Sequence, residues 1–137
     1  PHQSIPDPLW SRGLGDVYKR QDLGSKIKFL DLNDHDKILA STSHLPHFIA
    51  FSLVKSLSNL DSDKIYSGGG LKDFTRIAAS DVKMWKDIFS HNKDEILKAI
   101  EDFTQSVNLF RTQIQQDDLD KIEKFIEEAK AFKEHKL

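Results

Sequence analysis

NKDEILKAIEDFTQSVNLFRTQI, residues 92–114, is the stretch whose reading decides the fold. Ile96, Ile100, Phe103, Val107, Phe110 and Ile114 recur at alternating four- and three-residue steps, the spacing that draws an apolar seam along one edge of an α-helix. Sustained over about 25 residues, the seam runs along ~37 Å of helix. Asn92, with Glu95 three residues later, reads as a capping box at its start. Six seam positions on one helix are many for a chain of 137 residues. Periodicity alone leaves open whether the seam packs on the chain's own helices or on a second copy. Its length favours two copies sharing one core.

Working outward, Asp117 or Asp118 starts a final helix that turns Ile122, Phe125, Ile126, Ala129 and Phe132 inward. Lys130, Lys133 and Lys136 lie near its C-terminus, where the helix dipole favours cations. Upstream, Ile38, Leu39, Leu45, Phe48, Ile49, Leu53, Leu57 and Leu60 predict a helix over residues 35–60, capped by Asn33 or Asp34. Pro46 lies inside it, removes one backbone hydrogen bond and crowds the Thr42 carbonyl, so a kink is expected there. Residues 60–70 form a polar connection ending in glycines. Residues 71–79 make a short helix, and Ser80 caps another through Phe89. KIKFLDL, residues 26–32, alternates lysines with Ile27 and Phe29 and reads as one short β-strand, which needs partners to be stable. The expected fold is mainly α, a multi-helix domain with a long kinked helix, long C-terminal helices and one leftover strand.

Residues 1–21 read differently from the rest. They hold three of the four prolines, two isolated glycines and a stranded Trp10 without apolar periodicity. They resemble translated vector or adaptor DNA, and are set aside as a non-native leader; a genuine disordered arm is the alternative. Residues 22–34 are then the tail of a truncated domain, and residues 35–137 the helical domain.

Composition narrows the function classes. A net charge of −2, with acidic and basic residues mixed along the chain, gives no pull towards nucleic acid or an anionic membrane. No apolar run approaches the roughly 18 residues of a membrane span. The absence of cysteine excludes disulfides, thiolate metal sites and cysteine nucleophiles, and suits a reducing cytoplasm.

Two motifs carry chemistry. In Ser43-His44-Leu45-Pro46-His47, two histidines three residues apart project from nearly one helix face beside the proline. Metal binding would need a third ligand; His35 lies two and a half turns away and no Glu-x-x-His motif is present, so no metal is expected. Core packing is the plain alternative, but irregular helix backbone often accompanies function. In Gly68-Gly69-Gly70-Leu71-Lys72-Asp73-Phe74-Thr75-Arg76, the glycines bare the backbone, and Arg76 offers a planar fork suited to a carboxylate. A flexible linker, with Asp73 and Arg76 as a surface pair, is the alternative. Trp85 and Phe89 are most simply core.

Taken together, these motifs resemble the prephenate dehydrogenase family in its C-terminal helical half. The residues that carry the resemblance are His35-Asp36, Ser43 to His47, Gly69 to Ala78, Ser80-Asp81 and Met84 to Phe89. The resemblance implies an enzyme of tyrosine biosynthesis that oxidatively decarboxylates prephenate or arogenate with NAD or NADP. It further implies a nucleotide-binding domain that this chain lacks, and a homodimer formed through the helices. By position, Arg76 would bind the carboxylate of a small dicarboxylate substrate, His47 would line the same pocket, and Gly69 would supply backbone beside it. Asp73 would join the ionic network around Arg76, while His44 and Trp85 would support the pocket wall. The catalytic histidine would lie outside this chain, which is expected to be inactive alone. A non-catalytic helical dimerisation or adaptor module is the competing expectation.

Overall fold

The structure is a computed structural model that describes residues 31–60 and 68–136. Every regular element among them is helical: α1 (Leu32–Leu39), a π-helical turn (Ala40–His44), α2 (Leu45–Leu57), α3 (Gly69–Thr75), a 3-10 turn (Arg76–Ala79), α4 (Val82–His91), α5 (Lys93–Gln115) and α6 (Leu119–Lys136). Most of the strand expected at residues 26–32 lies outside the described residues, as does the leader at 1–21; Leu32 itself opens α1. The chain from Asn33 onward forms one compact unit.

An irregularity does precede Pro46: the helix widens there, the Leu45 N–H reaching back five residues to the Ala40 carbonyl. Pro46 then sits in the first turn of α2, where a missing N–H costs nothing. The helical run thus passes from α1 through the π turn into α2 without a break, and stops at Leu57.

Around this junction lies the core. Ala40 from the π turn and Ile96 and Ala99 from α5 are buried together, with Leu45, Ile88, Phe89 and Ile100 packed on them. Small residues let the π turn and α5 approach closely. The α5 seam is used unevenly: Ile96 is buried and Ile100 and Phe103 half-buried, whereas Val107 is 45% exposed and Ile114 53%.

The turn into α6 places Asp117 at φ 50°, a left-handed conformation that Asp tolerates better than most residues. Asp118 then caps α6, its carboxylate accepting the Lys121 N–H at 3.2 Å and pairing with the Lys121 ammonium at 2.7 Å. Both contacts hold the Asp118 carboxyl below its usual range. Phe125 stacks on Phe110 with ring centres 4.7 Å apart. Past Phe125 every described residue of α6 is exposed, so Ile126, Ala129 and Phe132, expected inward, point to no neighbour that covers them among the described residues.

Two caps differ from expectation. Asp81, not Ser80, caps α4 by accepting the Met84 N–H at 2.7 Å, while the Ser80 hydroxyl donates to the Ile77 carbonyl. Asn92 occupies the N-cap position of α5 but makes no side-chain cap bond; its amide is engaged elsewhere.

Candidate functional site

The π turn and the proline start of α2 aim two imidazoles at α4. His44, the last residue of the turn, is buried at 8% exposure. His47, one turn on, is half-buried. Between them and Phe51 stands Trp85 of α4, 5% exposed. The His47 ring lies nearly parallel to the indole at 3.9 Å, and His44 meets the indole edge-on at 5.9 Å. Phe51 and Phe89 close the cluster at 5.9 and 5.5 Å from Trp85. Offset-stacked and edge-on contacts of this kind add about 0.5–1.5 kcal/mol each beyond area burial. The Trp85 indole N–H is sealed from solvent without a hydrogen-bond partner among the described residues, a cost of about 1–3 kcal/mol that the stack has to offset.

Hydrogen bonding separates the two histidines. His47 Nδ1 lies 2.9 Å from the Ser43 carbonyl. A carbonyl only accepts, so the proton sits on Nδ1 and Nε2 keeps its lone pair in the neutral ring. His44 Nδ1 lies 3.3 Å from the Asn92 side-chain nitrogen. An amide NH₂ only donates, so His44 Nδ1 accepts and its proton sits on Nε2. Burial disfavours the charged ring and lowers the His44 pKa below its ordinary 6.5; His47 and His35 push the same way and Asp36 opposes them.

The second motif lies alongside. The 3-10 turn that begins at Arg76, and α3 before it, both pack on α2. Arg76 and Asp73 are exposed and form no ion pair with each other. Gly68, Gly69 and Gly70 are exposed as well, and a Cβ built on any of them meets nothing within 4 Å. Close packing inside this chain therefore does not require them. Phe51, Ala78, Ser80, Val82, Trp85, Lys86 and Phe89 line an open, mostly apolar groove of about 370 Å³.

Of the residues singled out from sequence, the structure brings His44, His47 and Trp85 into contact. It leaves Gly69, Asp73 and Arg76 at the surface of the adjoining elements. Among the described residues, no three His, Asp or Glu side chains converge to hold a metal. Phe51 and Asn92 were missed: Phe51 is one more member of the α2 apolar stripe, and Asn92 carries the signature of an ordinary cap.

A family of helical domains answers this description. The family described as "Prephenate dehydrogenase, dimerization domain" matches residues 31–128, and the chain belongs to it. The prephenate dehydrogenase of Bacillus subtilis (strain 168) is 32% identical over 117 residues, 81% of this chain and 32% of that protein. The cyclohexadienyl dehydrogenase of Zymomonas mobilis is 35% identical over 117 residues, 81% of this chain and 40% of that protein. Among solved structures, prephenate dehydrogenase from A. aeolicus, in complex with hydroxyphenyl propionate and NAD+, superposes with a TM-score of 0.75 at 34% identity. It covers 96% of this chain and 47% of that one. Synechocystis arogenate dehydrogenase, at 20% identity, shares the fold with a TM-score of 0.77 over 98% of this chain and 50% of its own. The chain thus spans a third to two-fifths of these curated relatives and about half of the solved structures.

Proposed function

We propose that this chain forms the dimerising and substrate-binding part of a prephenate or arogenate dehydrogenase, acting in the cytoplasm on a small dicarboxylate. The observation that carries the reading is the His47–Trp85 stack, with Nδ1 of His47 anchored to the Ser43 carbonyl, beside the turn that begins at Arg76. A ring stacked on one face and anchored at Nδ1 presents a fixed Nε2, and Arg76, at the start of a turn that packs on the same helix, would supply the planar fork that a carboxylate requires. Gly69 contributes accessible backbone, Asp73 orients Arg76 once the site is complete, and His44 and Trp85 form the wall.

In this reading the reaction transfers hydride from the substrate's ring carbinol carbon to the nicotinamide of NAD or NADP, while the ring carboxylate leaves as carbon dioxide. The described residues offer no cradle for a dinucleotide: the Gly68–Gly70 segment opens a helix of only seven residues and presses on nothing. Cofactor binding and the catalytic base are assigned to other parts of the enzyme, and this chain alone is inactive. The dimer is a homodimer through α5 and α6, along which Val107, Ile114, Ile126 and Phe132 are exposed. No helix among the described residues is long and apolar enough to cross a membrane.

The test is steady-state kinetics on an enzyme carrying this chain together with its nucleotide-binding part. Arg76→Lys keeps the charge but loses the fork, so KM should rise with a smaller change in kcat; Arg76→Ala should be worse. Unchanged KM in both variants would refute the reading and favour a non-catalytic dimerisation module.

A further inference from the structure

Asn92 breaks a local rule. It is at once the last residue of the α4 ladder and the first of α5, its N–H bonded to the Ile88 carbonyl and its carbonyl to the Ile96 N–H. In that position an asparagine side chain normally caps the new helix, a bond worth about 1 kcal/mol. Here it forgoes the cap. Its amide nitrogen donates instead to the Asp36 carbonyl at 2.8 Å, 56 positions back in the chain, and to His44 Nδ1 at 3.3 Å. Both hydrogens of one NH₂ group are thereby used, and three elements (α1, the π turn and the α4–α5 corner) meet on a single side chain. A local preference given up for long-range contacts is the pattern expected where a residue serves a site.

We propose that Asn92 is a positioning residue: by donating to His44 Nδ1 and the Asp36 carbonyl, it keeps the His44 proton on Nε2 and holds the His44–Trp85–His47 array in register. The chain of contacts is short. His44 is fixed by Asn92 and meets Trp85 edge-on; Trp85 is flanked by His44 and stacks on His47; His47 is fixed at its far side by Ser43. The two neutral rings consequently carry their protons on opposite nitrogens, one with a bare Nε2 and the other with a bare Nδ1. An aspartate at position 92 would have the same shape and the opposite polarity. It would repel the Asp36 carbonyl and draw a proton onto His44 Nδ1. The role in binding rests on the function proposed above, but the proton's location does not.

Two-bond 1H–15N correlation spectra of this chain, without any substrate, read the tautomer of each histidine directly. Wild type should show His44 with a bare Nδ1 and His47 with a bare Nε2. Asn92→Asp should move the His44 proton to Nδ1, or charge the ring, and Asn92→Ala should give a mixture. A wild-type His44 protonated on Nδ1 overturns the proposal before any variant is made; so does a folded Asn92→Asp chain with the tautomer unchanged. In the enzyme carrying this chain, Asn92→Asp should raise KM by about tenfold with a smaller effect on kcat. A flipped tautomer with KM unchanged would overturn the positioning role, whereas loss of the dehydrogenase reading itself would appear in the Arg76 variants.

Discussion

Val107→Asp tests the shared core where it is cleanest. Val107 lies in the middle of the α5 seam, yet 45% of it is exposed in the single chain. A fully buried aliphatic side chain is worth ~1.5–3 kcal/mol, so covering the open half of Val107 in both copies contributes roughly 2 kcal/mol to association. Substitution by aspartate removes that and forces two carboxylates to lose water at one interface. The dissociation constant should rise at least about 30-fold. Because the residue is half open already, the isolated chain should keep its helicity, with a stability change of about 0.5 kcal/mol or little more. Sedimentation equilibrium across micromolar concentrations, paired with far-UV circular dichroism, separates the two effects. An unmodified chain that stays monomeric at tens of micromolar, on the order of an ordinary weak complex, would refute the shared core; so would a Val107→Asp dimer as tight as wild type.

Ile96→Ala probes the opposite end of the same seam, where the side chain is 3% exposed against Ala40 and Ala99. It should destabilise the fold by about 2–5 kcal/mol, read by thermal or urea unfolding; a loss below about 1 kcal/mol would show that the core lies elsewhere. For pH, His44 has a folded pKa below the ordinary 6.5, and the groups facing it are Asp36, His35 and His47. Between the two values the unfolded chain binds more protons, so stability rises with pH through that window. The His44 contribution is whole above about 6.5 and is lost as pH falls through the depressed value. His44→Asn should flatten the pH dependence of Tm over that range; an unchanged slope would mean that His44 does not titrate as its burial requires.

The helices were legible because each carries its own period: the seam from Ile96 to Ile114, the stripe from Ile38 to Leu57, the aspartate that starts α6. Motif order also carried the family. What escaped were choices between neighbours of similar chemistry and contacts made over long separations. Ser80 and Asp81 are both good caps and both lie on extended backbone; what decides is that Asp81 accepts the Met84 N–H while the Ser80 hydroxyl is spent on the Ile77 carbonyl. Pro46 announced an irregularity but not its kind, since a widened turn before the proline and a bend through it share one sequence signal. Asn92 followed by Glu95 satisfies the local pattern of a capping box, and only tertiary structure shows the amide spent on Asp36 and His44. His47 and Trp85 were each visible, but their stacking depends on how α4 crosses α2, which no spacing encodes. The exposed end of α6 looked inward by period because period identifies a face and not what covers it.

The widened turn at Ala40–His44 has a consequence for how this segment tolerates changes of length. In a regular helix each residue advances the side-chain direction by about 100°; in a turn whose bond reaches back five residues, each residue advances by less. The widened turn therefore takes up one extra residue while α1 and α2 stay nearly in phase. Removing one residue within Ala40–His44 would close the turn into a regular helix and leave α1 almost unrotated against α2. What would change is the turn itself, because the backbone that carries His44 would be reset against the Asn92 amide. Insertions and deletions are usually absorbed by loops, but here a helix holds one residue in reserve, and its loss would be felt at His44 and not at the far ends.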